Sequence, residues 1–200
     1  MTRDLSTIVR VWQGLQGTWQ LNRKLHSINA AEPSGNCIGT ATFTSRQPSV
    51  FIDNDGKLQN ASKEMLYAEK GDFEMTTTES TTNAPRFSFS RKYVWRLMDE
   101  EASKPEISVW FVKPGTEQID YLFHKFLVQS TSDADKRVVH VECSGGHLCV
   151  EDFYSSNYTF ALHDQSGHQK DELLLSSWDM LHEVRGPKKD QVIQTTFTRS

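Results

Sequence analysis

Gly17-Thr18-Trp19-Gln20-Leu21-Asn22-Arg23-Lys24-Leu25 decides the fold, read together with Thr198-Arg199 far along the chain. In the first stretch Trp19, Leu21 and Leu25 alternate with polar residues, and Arg23 shares their side. That is the period of a strand with one buried face. In a closed antiparallel barrel the first and last strands are neighbours, which brings the Trp19 indole and the Arg199 guanidinium together at the seam. Such a contact contributes roughly 0.5 to 2 kcal/mol.

Upstream, Leu5, Ile8, Val9, Trp12 and Leu15 fall on one helical face, and Gly14 and Gly17 end that pattern. The spacing predicts a short helix over 5–15, placed as a lid or plug. Downstream, the period is two. Gly39, Ala41 and Phe43 share a side, as do Met65, Tyr67, Glu69, Gly71 and Phe73, and then Phe87, Phe89, Arg91, Tyr93, Trp95 and Leu97. Further strands are expected over Ile107 to Val112, Tyr121 to Val128, Arg137 to Ser144, His147 to Leu162, Glu172 to His182 and Val192 to Arg199. The expected fold is all-β: one domain over 1–200, a closed antiparallel up-and-down barrel over 17–199 with about eight to ten strands. Three polar stretches, Ser45 to Asn60, Thr76 to Pro85 and Asp99 to Pro105, read as long connectors or as loops gating a barrel mouth.

Two hundred residues with 22 basic and 26 acidic side chains give a net charge of −4. A general nucleic-acid binder would need a basic face, so no nucleic-acid partner is expected. No apolar run reaches the length of a membrane helix or a signal peptide, and three cysteines do not make a disulfide framework. The expectation is a cytoplasmic protein with free thiols and no membrane partner.

Gly145-Gly146 reads as a two-residue hairpin turn, since glycine takes positive φ freely. That register sets Ser144 opposite His147, Glu142 opposite Cys149 and His140 opposite Glu151, with Cys143 on the other face. Asp152 and Tyr154 then fall out of phase with His147 and Cys149 unless a bulge near Val150-Glu151 shifts the strand. Arg23, Glu69, Arg91, Tyr93 and Asp152 sit in otherwise apolar rows. Either they form a structural salt-bridge network, or an arginine among them anchors a ligand's polar end.

Gly17-Thr18-Trp19 with Leu21 and Arg23, then Gly39, Ala41 and Phe43, then Tyr67, Glu69 and Gly71, and Tyr93 with Trp95-Arg96 form an ordered set. It continues with His147-Leu148-Cys149-Val150-Glu151-Asp152-Phe153-Tyr154, Gly186-Pro187-Lys188-Lys189-Asp190 and Thr198-Arg199. Over nearly the whole chain this set resembles the calycin-like barrels of domain of unknown function 6314. The resemblance implies a closed barrel with the shape of lipocalins and fatty-acid-binding proteins, and it implies no activity.

The expected function is binding of a small, partly apolar molecule with a polar or anionic end. Phe89, Tyr93, Trp95, Tyr154 and Phe160 would line the site, with Glu69 and Cys149 beside them. Arg23, Arg91 or Asp152 would fix the polar end. An alternative is a barrel enzyme of isomerase, lyase or hydrolase type, with Asp152 or His147 as base and Tyr154 donating to an oxyanion. A second is an interaction module with a filled core. The cofactor is left open, with none favoured. Zinc on His140, Cys143, His147 and Cys149 is disfavoured by the expected register, and haem on His124 is disfavoured too, since a lone histidine among apolar residues reads first as a hydrogen-bonded core or surface residue. The Lys188-Lys189 turn reads as a solvated loop or an anion-attracting rim.

Overall fold

The computed structural model describes residues 7–29, 31–76, 85–98, 105–135, 138–164 and 173–200, with backbone alone at 130, 132–135 and 164. Helix α1 (Thr7–Leu15) is followed by β1 (Gly17–Ser27), β2 (Gly35–Arg46), the short pair β3 (Phe51–Ile52) and β4 (Leu58–Gln59), β5 (Lys63–Met75) and β6 (Arg86–Met98). Then come β7 (Glu106–Val112), β8 (Ile119–Lys125), β9 (Leu127–Asp135), β10 (Val138–Cys149), β11 (Asp152–Asp164), β12 (Leu173–Arg185) and β13 (Asp190–Arg199). Position 5 and nearly all of the stretches expected at 76–85 and 99–105 lie outside the described residues, as do Arg137 and Glu172.

Eleven antiparallel strands form one sheet in the order β8-β7-β6-β5-β2-β1-β13-β12-β11-β10-β9. Successive strands of this sheet pair except at β8 and β9, β2 pairs with β5 past the separate β3–β4 hairpin, and β1 pairs with β13 in a register that sets Trp19 opposite Arg199. The Arg199 guanidinium stands 4.1 Å from the indole centroid. The two ends of the sheet are β8 and β9, which follow each other with only Phe126 between them. They act as one bent stave: β8 pairs with β7, and β9 pairs with β10. The stretch read as one strand from Tyr121 to Val128 is thus the bend itself. Counted that way the barrel has ten staves.

One end is plugged. Ile8, Val9, Val11, Trp12 and Leu15 of α1 are buried, and α1 lies across the barrel from β7 to β12. Its last carbonyls, which no helical amide reaches, are taken up by the seam pair. Trp19 Nε1 donates to Leu15 O (2.8 Å), Arg199 Nη1 donates to Gln16 O (2.9 Å), and Arg199 Nη2 donates to Gly14 O. Above the plug, Trp19, Phe43, Phe160, Trp178 and Phe197 pack as a solid aromatic floor. Trp178 lies parallel to Phe197, and Trp95 meets Phe43 edge to face (5.1 Å).

The expected turn at Gly145-Gly146 is not there. Both glycines lie inside β10, and the hairpin turns at Val150-Glu151, pairing Cys149 with Asp152 and His147 with Tyr154. Val150 takes φ 58° to make that turn, an unusual conformation for a β-branched residue. Gly145 serves a different need. A Cβ there would come within 3.0 Å of the His124 ring, which packs against the bare backbone where β8 meets β10. The corrected register also moves Cys143 onto the inward face with His147 and Cys149, and leaves His140 on the outer one.

The 45–60 stretch is more than a connector. Arg46, Ser49 and Phe51 lie on the outer wall of β5–β7 and bury Glu64 and Arg96 there. Glu64 Oε1 accepts from Arg46 Nε (2.7 Å) and Ser49 Oγ (3.0 Å), and Arg96 Nη2 donates to Ser49 O (2.5 Å). The Arg96 guanidinium sits 4.9 Å from the Phe51 ring, which meets Trp110 edge-on. Both carboxylate oxygens of Glu64 are paired under this strap, which offsets part of the cost of burying the charge.

Candidate functional site

Opposite the plug the barrel opens into a cup of about 1400 Å³. Inward-facing residues of β1, β2, β5, β6, β7, β8 and β10–β13 line it, together with the 113–116 turn. Arg23, Glu69, Arg91, Tyr93, Trp95, Cys149 and Tyr154, all expected at a site, are on its wall, and so is His147. Trp95 is nearly fully buried at its base, and Phe160 lies below in the floor and does not reach the wall.

Half-way down runs a polar ring. Arg23 grips Glu69 with two bonds (Nη1–Oε1 2.9 Å, Nη2–Oε2 2.7 Å) and donates through Nε to Thr195 Oγ1 (2.9 Å). Tyr67 donates its hydroxyl to Glu69 Oε2 (2.5 Å). Burial alone would pull the Arg23 guanidinium down, but Glu69 overrides it and holds the proton more tightly than usual. Burial, reinforced by Glu69, pushes the Tyr67 and Tyr93 hydroxyls up, so both stay protonated. Tyr93 has no hydrogen-bond partner among the described residues.

Beyond Thr195, on β12 and β11, runs a second polar line. Ser156 Oγ and His182 Nδ1 are 2.7 Å apart, and Tyr158 Oη and His124 Nε2 are 3.0 Å apart. Burial lowers His182 to about 4, aided by the Arg23 charge, and lowers His124 to about 3. Both rings are therefore neutral near pH 7. The sequence reading did not single out His182. Its signal was present, since it shares parity with Trp178, Met180 and Val184 on β12.

At the rim, His147 stacks against Tyr121 (5.8 Å) and lies near Tyr154, and burial lowers its pKa. Tyr154 accepts a hydrogen bond from Lys189 Nζ (3.1 Å), which raises the lysine. Arg91 is exposed at the mouth, opposite Glu69 in the ladder but without an ion pair among the described residues.

Asp152 has a different setting from its expected one. Its Oδ1 accepts from the backbone amides of Lys188 (3.2 Å) and Lys189 (3.3 Å), and it does not line the cup. Gly186 leaves the space that the Asp152 carboxylate fills. The corrected hairpin thus puts His147, Cys149, Asp152 and Tyr154 on one face with no bulge, yet turns Asp152 to the 186–189 loop. Among the described residues no three His, Cys, Asp or Glu side chains are grouped as a metal ion would need. Among the described residues no helix is long and apolar enough to cross a membrane.

A solved structure described as a "putative outer membrane protein" from Bacteroides fragilis aligns over 94% of this chain and 98% of its own, at 7% identity and a TM-score of 0.13. No curated protein matches the chain. The model of a family described as a family of unknown function, DUF6314, matches residues 15–199, from the end of α1 through the Trp19–Arg199 seam to the last residue of β13. The chain belongs to that family.

Proposed function

We propose that this barrel binds a small, partly apolar molecule in its cup, within the cytoplasm. One observation carries the reading: a volume of about 1400 Å³, open at one end, is lined by aromatic rings and a few fixed polar groups. Ligand sites combine those features, and typical ones are no larger. The plug and the aromatic floor fill the other half of the barrel, so the volume is confined to a vessel with one entrance.

The acid–base alternative loses its first base, because Asp152 is committed to two backbone amides. Its conversion to asparagine should loosen the 186–189 loop and leave ligand binding intact.

Native mass spectrometry on protein purified without denaturation, followed by a thermal-shift screen of amphiphilic small molecules, tests the reading. A bound molecule adds mass, and a ligand at a hundred times its Kd stabilises the fold by about 2.7 kcal/mol. A bare polypeptide mass and a screen without any shift would refute it.

A further inference from the structure

Arg23 is the cation that an anion entering the cup would seek, but Glu69 already holds it. With the histidines of the second polar line neutral, the ring carries no net charge. A carboxylate or phosphate at that depth would lose its hydration beside Glu69 and find no cation of its own. A carbonyl, amide or hydroxyl finds ready partners. Arg23 has five N–H groups and uses three, on Glu69 and Thr195. The second ring nitrogen of His182 and the Tyr93 hydroxyl also have no partner among the described residues.

The mouth has the opposite character. Arg91, Lys92, Lys113 and Lys189 line it, against Glu32 as the one carboxylate among its described rim residues. Lys92 is tied to Glu117 (2.6 Å), whereas Arg91 and Lys113 have no ion pair among the described residues. Between ring and mouth the wall is aromatic, with Phe89, Phe111, Tyr121 and Phe123.

Resting on the ligand-binding reading, we propose that the cup takes a bipolar, flat ligand: a neutral hydrogen-bonding end on the Arg23–Glu69 ring, an aromatic or conjugated body, and an anionic group left at the mouth on Lys189, Arg91 and Lys113. The rim cations steer and hold the anion, and the inner ring selects against a second one. The orientation is the reverse of an arrangement in which a buried arginine takes the anion.

Two dyes of nearly the same shape separate the ends: anilinonaphthalene sulfonate and uncharged phenylnaphthylamine, titrated by fluorescence with near-ultraviolet circular dichroism as a check on folding. The sulfonate should bind about tenfold more tightly at low salt, an advantage that shrinks as salt rises. The exposed pair Arg91→Gln and Lys189→Gln should remove the advantage and leave the uncharged dye unchanged. If both dyes bind and the rim substitutions do not affect the sulfonate, the bipolar assignment is overturned while the cup remains a binding site. The same follows if Arg23→Gln, still folded, is what removes the advantage. If neither dye binds, the ligand-binding reading falls, and this inference with it.

Discussion

Replacing Glu69 by glutamine keeps the shape of the side chain and removes the charge that Arg23 faces. The pair is bidentate, with Glu69 3% exposed and Arg23 13% exposed. Removing one partner of a buried pair costs about 3–5 kcal/mol, chiefly because the remaining charge is left uncompensated. Two features reduce that figure here. Thr195 still accepts from Arg23 Nε, and water entering the cup reaches the guanidinium. The expected loss is therefore about 2–3 kcal/mol. Urea unfolding followed by tryptophan fluorescence reads it as a lower midpoint with an unchanged slope. The Arg23→Met background isolates the pair: with the cation gone, Glu69→Gln should cost less by at least about 1 kcal/mol. A Glu69→Gln protein within about 0.5 kcal/mol of the parent, or the same loss in both backgrounds, would refute the reasoning that the ring is held by this ion pair.

The buried histidines make stability depend on pH. His182 and His124 titrate at about 4 and about 3 in the folded protein, below the 6.5 of an exposed histidine, so between those values the unfolded chain binds more protons. Stability is full above pH 6.5 and falls as pH drops toward 4, at about 1.4 kcal/mol per pH unit for each histidine. His182→Gln should flatten the slope, and a urea midpoint constant from pH 7 to 5 would count against this burial. Gly145→Ala should destabilise by about 1–3 kcal/mol because its Cβ would strike the His124 ring, while Gly146→Ala, which meets only the edge of half-exposed Phe153, should cost under about 1 kcal/mol. Equal losses at the two glycines by thermal melting would speak against the close approach. Arg199→Ala removes both bonds to the end of α1 and the contact over Trp19, an expected loss of about 1–2 kcal/mol with faster amide exchange in α1. Unchanged exchange in the helix would show that the plug is held by its apolar face alone.

The alternation of apolar and polar residues made the barrel legible in the sequence, because a strand with one buried face leaves no other pattern. The Trp19–Arg199 seam followed from the geometry of closure. Glycine misled at Gly145-Gly146, since the residue serves both tight turns and close packing, and here it serves the second. The real turn, Val150-Glu151, has neither glycine nor proline, and only the ladder on either side compels Val150 into its conformation. Glu64 was not singled out and Arg96 entered only through the resemblance, because both lie on the outward parity, where charge is ordinarily solvated. The chain that covers them comes from a stretch whose composition reads as a loop. Glu69 and Arg23 were visible as charges in apolar rows, but that they satisfy each other depends on the register of β1, β2 and β5, which a sequence does not give.

The bent stave has a mechanical consequence. Around most of the circumference the staves are joined by backbone ladders, and widening such a hoop means stretching every rung. Where β8 meets the far half of β10 no ladder joins them among the described residues, and side chains make the contact: the His124 ring rests on Gly145, and Tyr121 and Phe123 meet the His147 ring. The barrel is a split ring. A split ring changes its bore by flexing at the slit, and each ladder elsewhere needs to bend only slightly. His124 and the rings around His147 act as the catch across the slit, so the width of the cup is set by a few ring contacts and one missing side chain.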